Sequence, residues 1–575
     1  MDVPQHVRIH EIQGRAHVSP WNGREVVGVA GVVTAVDKNG FFIQDDEPDD
    51  EVDTSNALFV FTAVTPQVAV GHRVRVSGRV GEFYPGRDEA RNLPITQIQR
   101  PRVELVEIAQ TLPKPVQLGA GGREIPAGVV EDDADGFVDL PGVAFDPETD
   151  ALDFFESLEG MRVRVDDCVV VGPLNRFGEI VVLADQGAAA EPRTERGGLT
   201  RVAGDVNPER VMVDNRILPQ APPANVGDEI GTIVGVLDYR HGHFKILNTE
   251  PLTLRPGGLR PQTASIAGGE DGLTVASYNV LNLNRDDPER LDALARQIVE
   301  RLLSPDIIAL QEVQDDSGRR DDRVTSGSET FRRLTRAVHT HGGPRYDFRQ
   351  IDPRNGEDGG EPGGNIRCGY LFDPERVRFR ARFTAPCFAR LPHLKNRPFT
   401  SAGRLFADSD VFFRCRKPLL AEFEFRGVPH IFFNVHLSSK RGSAPLFGRA
   451  QPPADHTEEV RQAQTRALRA VVVKMLRADS AARIFVLGDF NDLNFASPLR
   501  ELTAGRLEGR LVNLCEKLSP AERYTYIHNG NGQALDHMIV SSPLVGAEFE
   551  VIHCNTEFAQ AVSDHDPILA RFPAP

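Results

Sequence analysis

The rhythm of apolar and polar positions changes near residue 266, and that change divides the chain into two kinds of fold. Before it, short apolar runs alternate with turn residues. Residues 26–36 are valine-rich, Asp37-Lys38-Asn39-Gly40 is a turn signal, and Phe41-Phe42-Ile43-Gln44 starts a return strand. Leu58-Phe59-Val60-Phe61 and the alternating run His72-Arg73-Val74-Arg75-Val76 follow, a spacing that predicts a small closed barrel within residues 1–112. A Pro/Gly-rich connector (112–127) and an acidic loop (131–135) lead to a second all-β domain, residues 118–258, with strands predicted over 161–171, 179–184 and 229–236. The hairpin pattern at 31–43 is echoed at 235–246, which predicts a second, related barrel. Residues 254–272 read as a linker.

Beyond the linker, strands alternate with helical patterns. Apolar Leu291, Leu294, Ile298 and Leu302 mark one face of a helix over 288–303, and 456–476 reads as a longer helix. Residues 266–575 are therefore expected to form an α/β layered domain behind two small all-β domains.

In that α/β region five apolar runs close on side chains able to bind a metal or move a proton. They end in Ser277-Tyr278-Asn279, Leu310-Gln311-Glu312, Asn434-Val435-His436, Gly488-Asp489-Phe490-Asn491 and Ser563-Asp564-His565-Asp566. Glu312 is a carboxylate at the mouth of a buried strand, suited to a hard cation such as Mg²⁺. Asp489 and Asn491 are two residues apart on an extended end, so both side chains can face one way. Asp536 starts the apolar run Met538-Ile539-Val540, where burial demands a partner. Each has a plainer reading: a surface Glu, an Asx-turn, a structural strand-end His, a Pro-terminated turn. Five together point to one convergent site whose residue kinds suit metal-assisted attack on phosphorus.

Charge and cysteines change this picture little. Residues 1–265 hold 41 acidic and 25 basic side chains and carry the whole formal charge of −16; residues 266–575 hold 41 of each and are neutral. The acidic first part argues against purely electrostatic nucleic-acid binding there, while a neutral domain with bound cations can approach phosphates. Six cysteines include no C-x-x-C pair, which excludes a zinc ribbon or thioredoxin motif. Cys387 and Cys415 bracket a loop-rich segment, and both a bridge and buried free thiols stay open. That segment reads either as a DNA-contacting arm or as a solvated loop. No run of 18 apolar residues is present, so no membrane span is expected.

The ordered set S-Y-N-V-L-N, L-Q-E-V, N-V-H-L-S-S, G-D-F-N-D, L-D-H-M-I-V-S and S-D-H-D-P-I resembles the motifs of the endonuclease/exonuclease/phosphatase superfamily, which includes deoxyribonuclease I. The resemblance covers about residues 266–575. Residues 1–112 resemble the OB-fold domain that precedes this nuclease domain in bacterial extracellular nucleases. It implies a multidomain protein with an α/β four-layered sandwich, two packed sheets flanked by helices, preceded by two OB-like domains. It also implies a Mg²⁺-dependent enzyme, with Mn²⁺ or Ca²⁺ as alternatives, that hydrolyses phosphodiester bonds of nucleic acid, DNA first, and acts as a monomer.

Carried over position by position, the resemblance puts Glu312 on the cation, with Asn279 and Asp564 in the metal shell. Asp489 orients or deprotonates the attacking water, and Asn491 grips the scissile phosphate. His565, oriented by Asp536, transfers a proton or stabilises charge, while His436 sits near the leaving oxygen. Arg367 is the cation that meets the phosphate. Two rival readings are a phosphomonoesterase or phospholipase of the same superfamily and a non-catalytic binding protein on this scaffold. Against the first, Gln533-Ala534-Leu535-Asp536-His537-Met538-Ile539 differs from the P-A-W-x-D-R-I of inositol phosphatases. Against the second, none of the Glu, Asp or His positions is lost. Relatives with this layout are exported, yet Met1-Asp2-Val3-Pro4-Gln5-His6 has no leader pattern, so compartment stays open.

Overall fold

In the computed structural model, which describes residues 7–108, 111–505 and 510–575, the chain divides into two units. The first comprises Met1–Leu259 with the short returns Gly442–Asp455 and Asn529–Asn531; the second takes the remainder.

In the first unit, strands Glu25–Asp37, Gly40–Gln44, Ala57–Phe61, Arg73–Phe83 and Ile95–Glu107 close into a barrel, the fifth lying between third and fourth. The two-residue alternation of the strands explains two neighbouring phenylalanines. Phe41 points inward with Ile43, Val60, Val74 and Ile98, whereas Phe42 points outward and packs with Phe59, Val236 and Leu247. Both are core, as is Phe59.

Residues 118–258 do not repeat the barrel. Among the described residues they contribute to a nine-stranded sheet, and the sequence echo is confined to one hairpin, Ile233–Arg240 with His243–Asn248. The strands predicted over 161–171 and 229–236 each break in two. Asp167 adopts φ 46°, and Arg162–Val165 pairs with Ile233–Arg240 while Cys168–Gly172 pairs with Glu179–Leu183. The break at Gly231-Thr232 likewise separates Glu229–Ile230 from the hairpin. Splitting each strand sends its halves to different neighbours and opens the sheet.

The second unit is built on two six-stranded sheets, counted among the described residues. Gly272–Leu283, Ile307–Val313, Arg367–Phe372 and Ile568–Pro573 lie in one; Leu419–Phe425, Val428–His436, Arg483–Asp489 and Asp536–Ser541 lie in the other. Their faces meet in a common core where Val275, Ile307 and Tyr370 join Leu420, Phe432 and Phe485. Phe432 and Phe485 stack at 4.3 Å between centroids. Helix Pro288–Glu300 starts on Asp287, whose carboxylate accepts from Arg290 N at 3.1 Å. It buries Leu291, Leu294 and Ile298, and Ser328–Thr340 buries Phe331 and Leu334, both against the first sheet. Helix Glu458–Ala478 covers the second sheet through Leu468, Val472 and Met475.

The 387–415 segment is anchored in the core by its apolar residues and keeps Arg390, His393, Lys395 and Arg397 exposed. Cys387, Phe388, Leu391, Phe399, Phe412 and Cys415 are buried in the main core of the unit. No bridge joins Cys387 to Cys415, and all six cysteines are buried. Among the described residues no helix is long and apolar enough to cross a membrane.

Candidate active site

Backbone register brings three of the site residues to one level. His436 is paired with Asp489 across parallel strands, and Asp489 with Asp536 across antiparallel ones, so all three stand at the same end of the second sheet. Gly488 lets the strand turn its last residue outward. Its φ is 136°, and a Cβ there would sit 2.0 Å from the Val435 carbonyl oxygen. Gly488→Ala is expected to lower unfolding free energy by about 2–4 kcal/mol in urea denaturation, with the m-value unchanged.

The first sheet supplies the remainder. Glu312 sits at φ 63° within an irregular pairing of its strand. Its carboxylate accepts from Asn282 N at 3.0 Å and from Asn279 Nδ2 at 3.2 Å. Asn279 Nδ2 also donates to Asp489 Oδ2 at 3.0 Å, so one amide links carboxylates carried by the two sheets. His436 Nε2 lies 3.4 Å from Asp489 Oδ2 and 3.8 Å from Glu312 Oε1. His565 Nδ1 is 2.6 Å from Asp536 Oδ2, and its Nε2 faces Asp489 Oδ2 at 4.0 Å. Tyr526 packs on the His565 ring at 5.0 Å.

Burial tunes these groups apart. It pushes Asp489 up to about 7, with His565 opposing and Asp536 and Glu312 adding to the rise. Glu312 is raised by burial and by the charge of Asp564. Burial would deprotonate His565, but Asp536, Asp489 and Asp564 hold it well above the usual imidazole range. His436 is held well below that range by burial and by the cations Arg416 and His565. The site thus holds one imidazolium and one neutral imidazole, either side of a carboxylate.

Donor atoms of Glu312, His436 and Asp489 all lie within 4.8 Å of one another, a geometry that fits a divalent cation. The charge of Glu312 adds to the rise of Asp489, and that of Asp564 to the rise of Glu312, a cost that a cation would relieve. Glu312 is common to this set and to the expected one of Asn279, Glu312 and Asp564. Asn279 donates through Nδ2 to the two carboxylates, its Oδ1 accepts from Leu281 N at 3.1 Å and keeps a lone pair for a cation, and the exposed Asp564 reaches Glu312 and His565 through its charge.

Asn491 adopts φ 52°; its backbone N–H caps Asp489 at 2.7 Å and its Nδ2 donates to Leu437 O at 3.1 Å. The strand end is therefore also the Asx-turn that its composition allowed.

Arg367 is not brought to the cluster. Its guanidinium is 3 % exposed and donates to Asp352, Thr325 O and Asn365 O. The cation whose charge reaches Glu312 and His436 is Arg416, 6 % exposed, anchored on Leu437 O at 2.5 Å with a buried, unpartnered Nε. Sequence reasoning missed it because it directly follows the irregular 387–415 segment. The run Arg414-Cys415-Arg416-Lys417 before an apolar strand was the available signal.

Beneath the cluster a buried polar bridge also joins the sheets. Gln311 Nε2 donates to Asn434 Oδ1 at 2.8 Å, and Asn434 Nδ2 donates to Leu310 O and Gly369 O. These two motif residues tie the sheets together close to Glu312 and His436 in sequence.

Residues 276–565 match the model described as Endonuclease/Exonuclease/phosphatase family. The chain belongs to this family. Residues 117–256 match a second model, described as a domain of unknown function (DUF8508). No curated protein is matched. Among solved structures the chain is similar to truncated Caenorhabditis elegans TDP2, at 18 % identity and TM-score 0.33, covering 53 % of this chain and 98 % of that one. D. rerio TDP2, complexed with single strand DNA product, is similar at 17 % identity and TM-score 0.33, covering 53 % and 99 %. The human Nocturnin catalytic domain, with bound sulfate anion, is similar at 16 % identity and TM-score 0.32, covering 52 % and 94 %.

Proposed function

We propose that this family member is a divalent-metal-dependent phosphodiesterase that hydrolyses nucleic acid, with DNA as its substrate. The observation that carries the reading is the meeting of Glu312, Asp489, His436 and the His565–Asp536 pair within one cluster. Glu312, Asp489 and His436 would hold the cation. When bound it neutralises charge on the phosphoryl oxygens and assists the leaving oxygen. An imidazole among the donors suits Mn²⁺ as well as Mg²⁺.

The Asp489 carboxylate, 3.4 Å from His436 Nε2 and 4.0 Å from His565 Nε2, would orient the attacking water and accept its proton. His565, kept cationic by Asp536, faces charge as it develops on phosphorus and donates its proton to the leaving oxygen. Arg416 and the Asn491 amide complete the phosphate side. The closed barrel, with its fifth strand between third and fourth, is read as an OB fold that positions a strand for cleavage. Residues 1–112, 118–258 and 266–575 are taken as the three modules.

Supercoiled plasmid incubated with the full chain is expected to be nicked in Mg²⁺ or Mn²⁺ and to stay intact in EDTA. Glu312→Gln should raise the metal concentration needed for half-maximal nicking about tenfold or more. No nicking in any metal, with phosphate released from inositol phosphates or phosphocholine from sphingomyelin, would replace the nuclease reading by the first rival. Oligonucleotide binding without turnover of any of these substrates would favour the non-catalytic one.

A further inference from the structure

A second cluster of metal-capable side chains lies in the first unit and plays no part in the chemistry above. His17 is 4 % exposed and lies against the edge of the Phe145 ring, at 5.5 Å between centroids. Its Nε2 is 2.8 Å from Asp153 Oδ1, and its Nδ1 is 3.5 Å from Glu156 Oε2. Asp153 and Glu156, both buried, come from the short helix Ala151–Glu156. Glu131 comes from the acidic loop, and a donor atom from each of His17, Glu131 and Asp153 falls within 4.8 Å of the others.

Two features separate this cluster from an ordinary acidic patch. Glu131 Oε2 is buried with no hydrogen-bond partner, and His17 Nδ1 and Glu156 Oε2 face each other at 3.5 Å without a well-formed hydrogen bond. The free Glu131 oxygen is held in place because its other oxygen accepts from Asp133 N at 2.8 Å and Ala134 N at 3.0 Å. The surroundings are also acidic. Asp150 lies beside Glu131 and Asp153, and Glu82 and Glu159 lie near Glu156. Among the described ion pairs the partner of Asp153 and Glu156 is His17, with no lysine or arginine. Buried carboxylates in such excess are costly unless a cation joins them.

We propose that His17, Glu131 and Asp153, with Glu156 alongside, form a binding site for a divalent transition-metal ion, Zn²⁺ or Mn²⁺. An imidazole nitrogen combined with carboxylate oxygens favours these ions over Ca²⁺ or Mg²⁺. The ligands come from three stretches far apart in sequence. The bound ion therefore ties the N-terminal segment, the acidic loop and the helix together, a structural role independent of hydrolysis.

The test uses the full chain carrying Glu312→Gln, so that the catalytic cluster is already weakened. After chelation, the protein is dialysed against Zn²⁺, Mn²⁺ or Ca²⁺, and bound metal per chain and thermal midpoint are measured. One equivalent of Zn²⁺ or Mn²⁺ and a metal-dependent rise in midpoint are expected. Adding Glu131→Gln, in a half-buried loop position, should lose that equivalent and the rise while leaving the circular dichroism unchanged. His17→Gln serves as the second variant, and Co²⁺ absorption as an independent signature of the nitrogen ligand. Metal content and Co²⁺ spectrum unaltered by either substitution would overturn the proposal, as would a site that takes Ca²⁺ in preference.

Discussion

Asp489→Asn is expected to lower the rate of phosphodiester hydrolysis by about 10³-fold or more with substrate affinity little changed. No other carboxylate in the cluster touches as many partners. Its oxygens meet Asn279, Asn491 and the Nε2 atoms of His436 and His565. An amide keeps the shape but neither accepts the water's proton nor balances the imidazolium. The same substitution should alter stability against pH in EDTA. The folded state holds a proton on Asp489 up to about 7, whereas an unfolded aspartate releases it near 3.8. Between those values the native chain binds more protons than the unfolded one. Its stability from this group is complete at low pH and falls as pH rises, by at most about 1.4 kcal/mol per pH unit. Denaturant midpoints between pH 4 and 7 should slope less in the variant. The residual slope belongs partly to Glu82 and Glu209, which burial also raises to about 7. Identical slopes would show that Asp489 is ionised throughout that range.

Asp536→Asn carries the second large effect. Asp536 lies behind the reacting groups and acts through His565, whose Nδ1 it holds at 2.6 Å. Burial alone would strip the proton from His565, and Asp536 is the largest opposing influence. Without that charge the imidazolium is lost at lower pH, so the alkaline limb of the rate profile moves toward acid. A drop in kcat of about 10²- to 10³-fold at neutral pH should accompany the shift. A residue with only a packing role would lower activity without moving the limb. His565→Ala should be as inactive at every pH, and combining it with Asp536→Asn should cost little more.

The site was more legible than the architecture around it. Strand-end residues announce themselves because an apolar run that stops on Asp, Glu or His must aim that group at a cleft or pair it. Asn279, Glu312, His436, Asp489, Asp536 and His565 were found that way, and all six meet in one cluster. Arginines give no such signal, because a long side chain can serve a backbone carbonyl as well as a phosphate. Arg367 fills a cage of carbonyls and Arg416 stands by the cluster, though both precede apolar strands. In the first unit, turn chemistry located the strands, but Asp167 and Gly231-Thr232 decided how they pair. Which neighbour each half-strand takes is a long-range question that the local pattern does not contain. His17 and Glu131 are 114 positions apart, so their meeting was invisible to any spacing argument.

The buried thiols make this protein its own unfolding reporter. Burial pushes Cys387 and Cys515 up to about 12 and raises Cys168 and Cys368 as well, so thiolate, the form that alkylates, is scarce in the native chain. Iodoacetamide can therefore mark a cysteine only when its surroundings open. Cys168 lies in one unit and the other five in the other, so peptide-resolved labelling would time the opening of each half on a single sample.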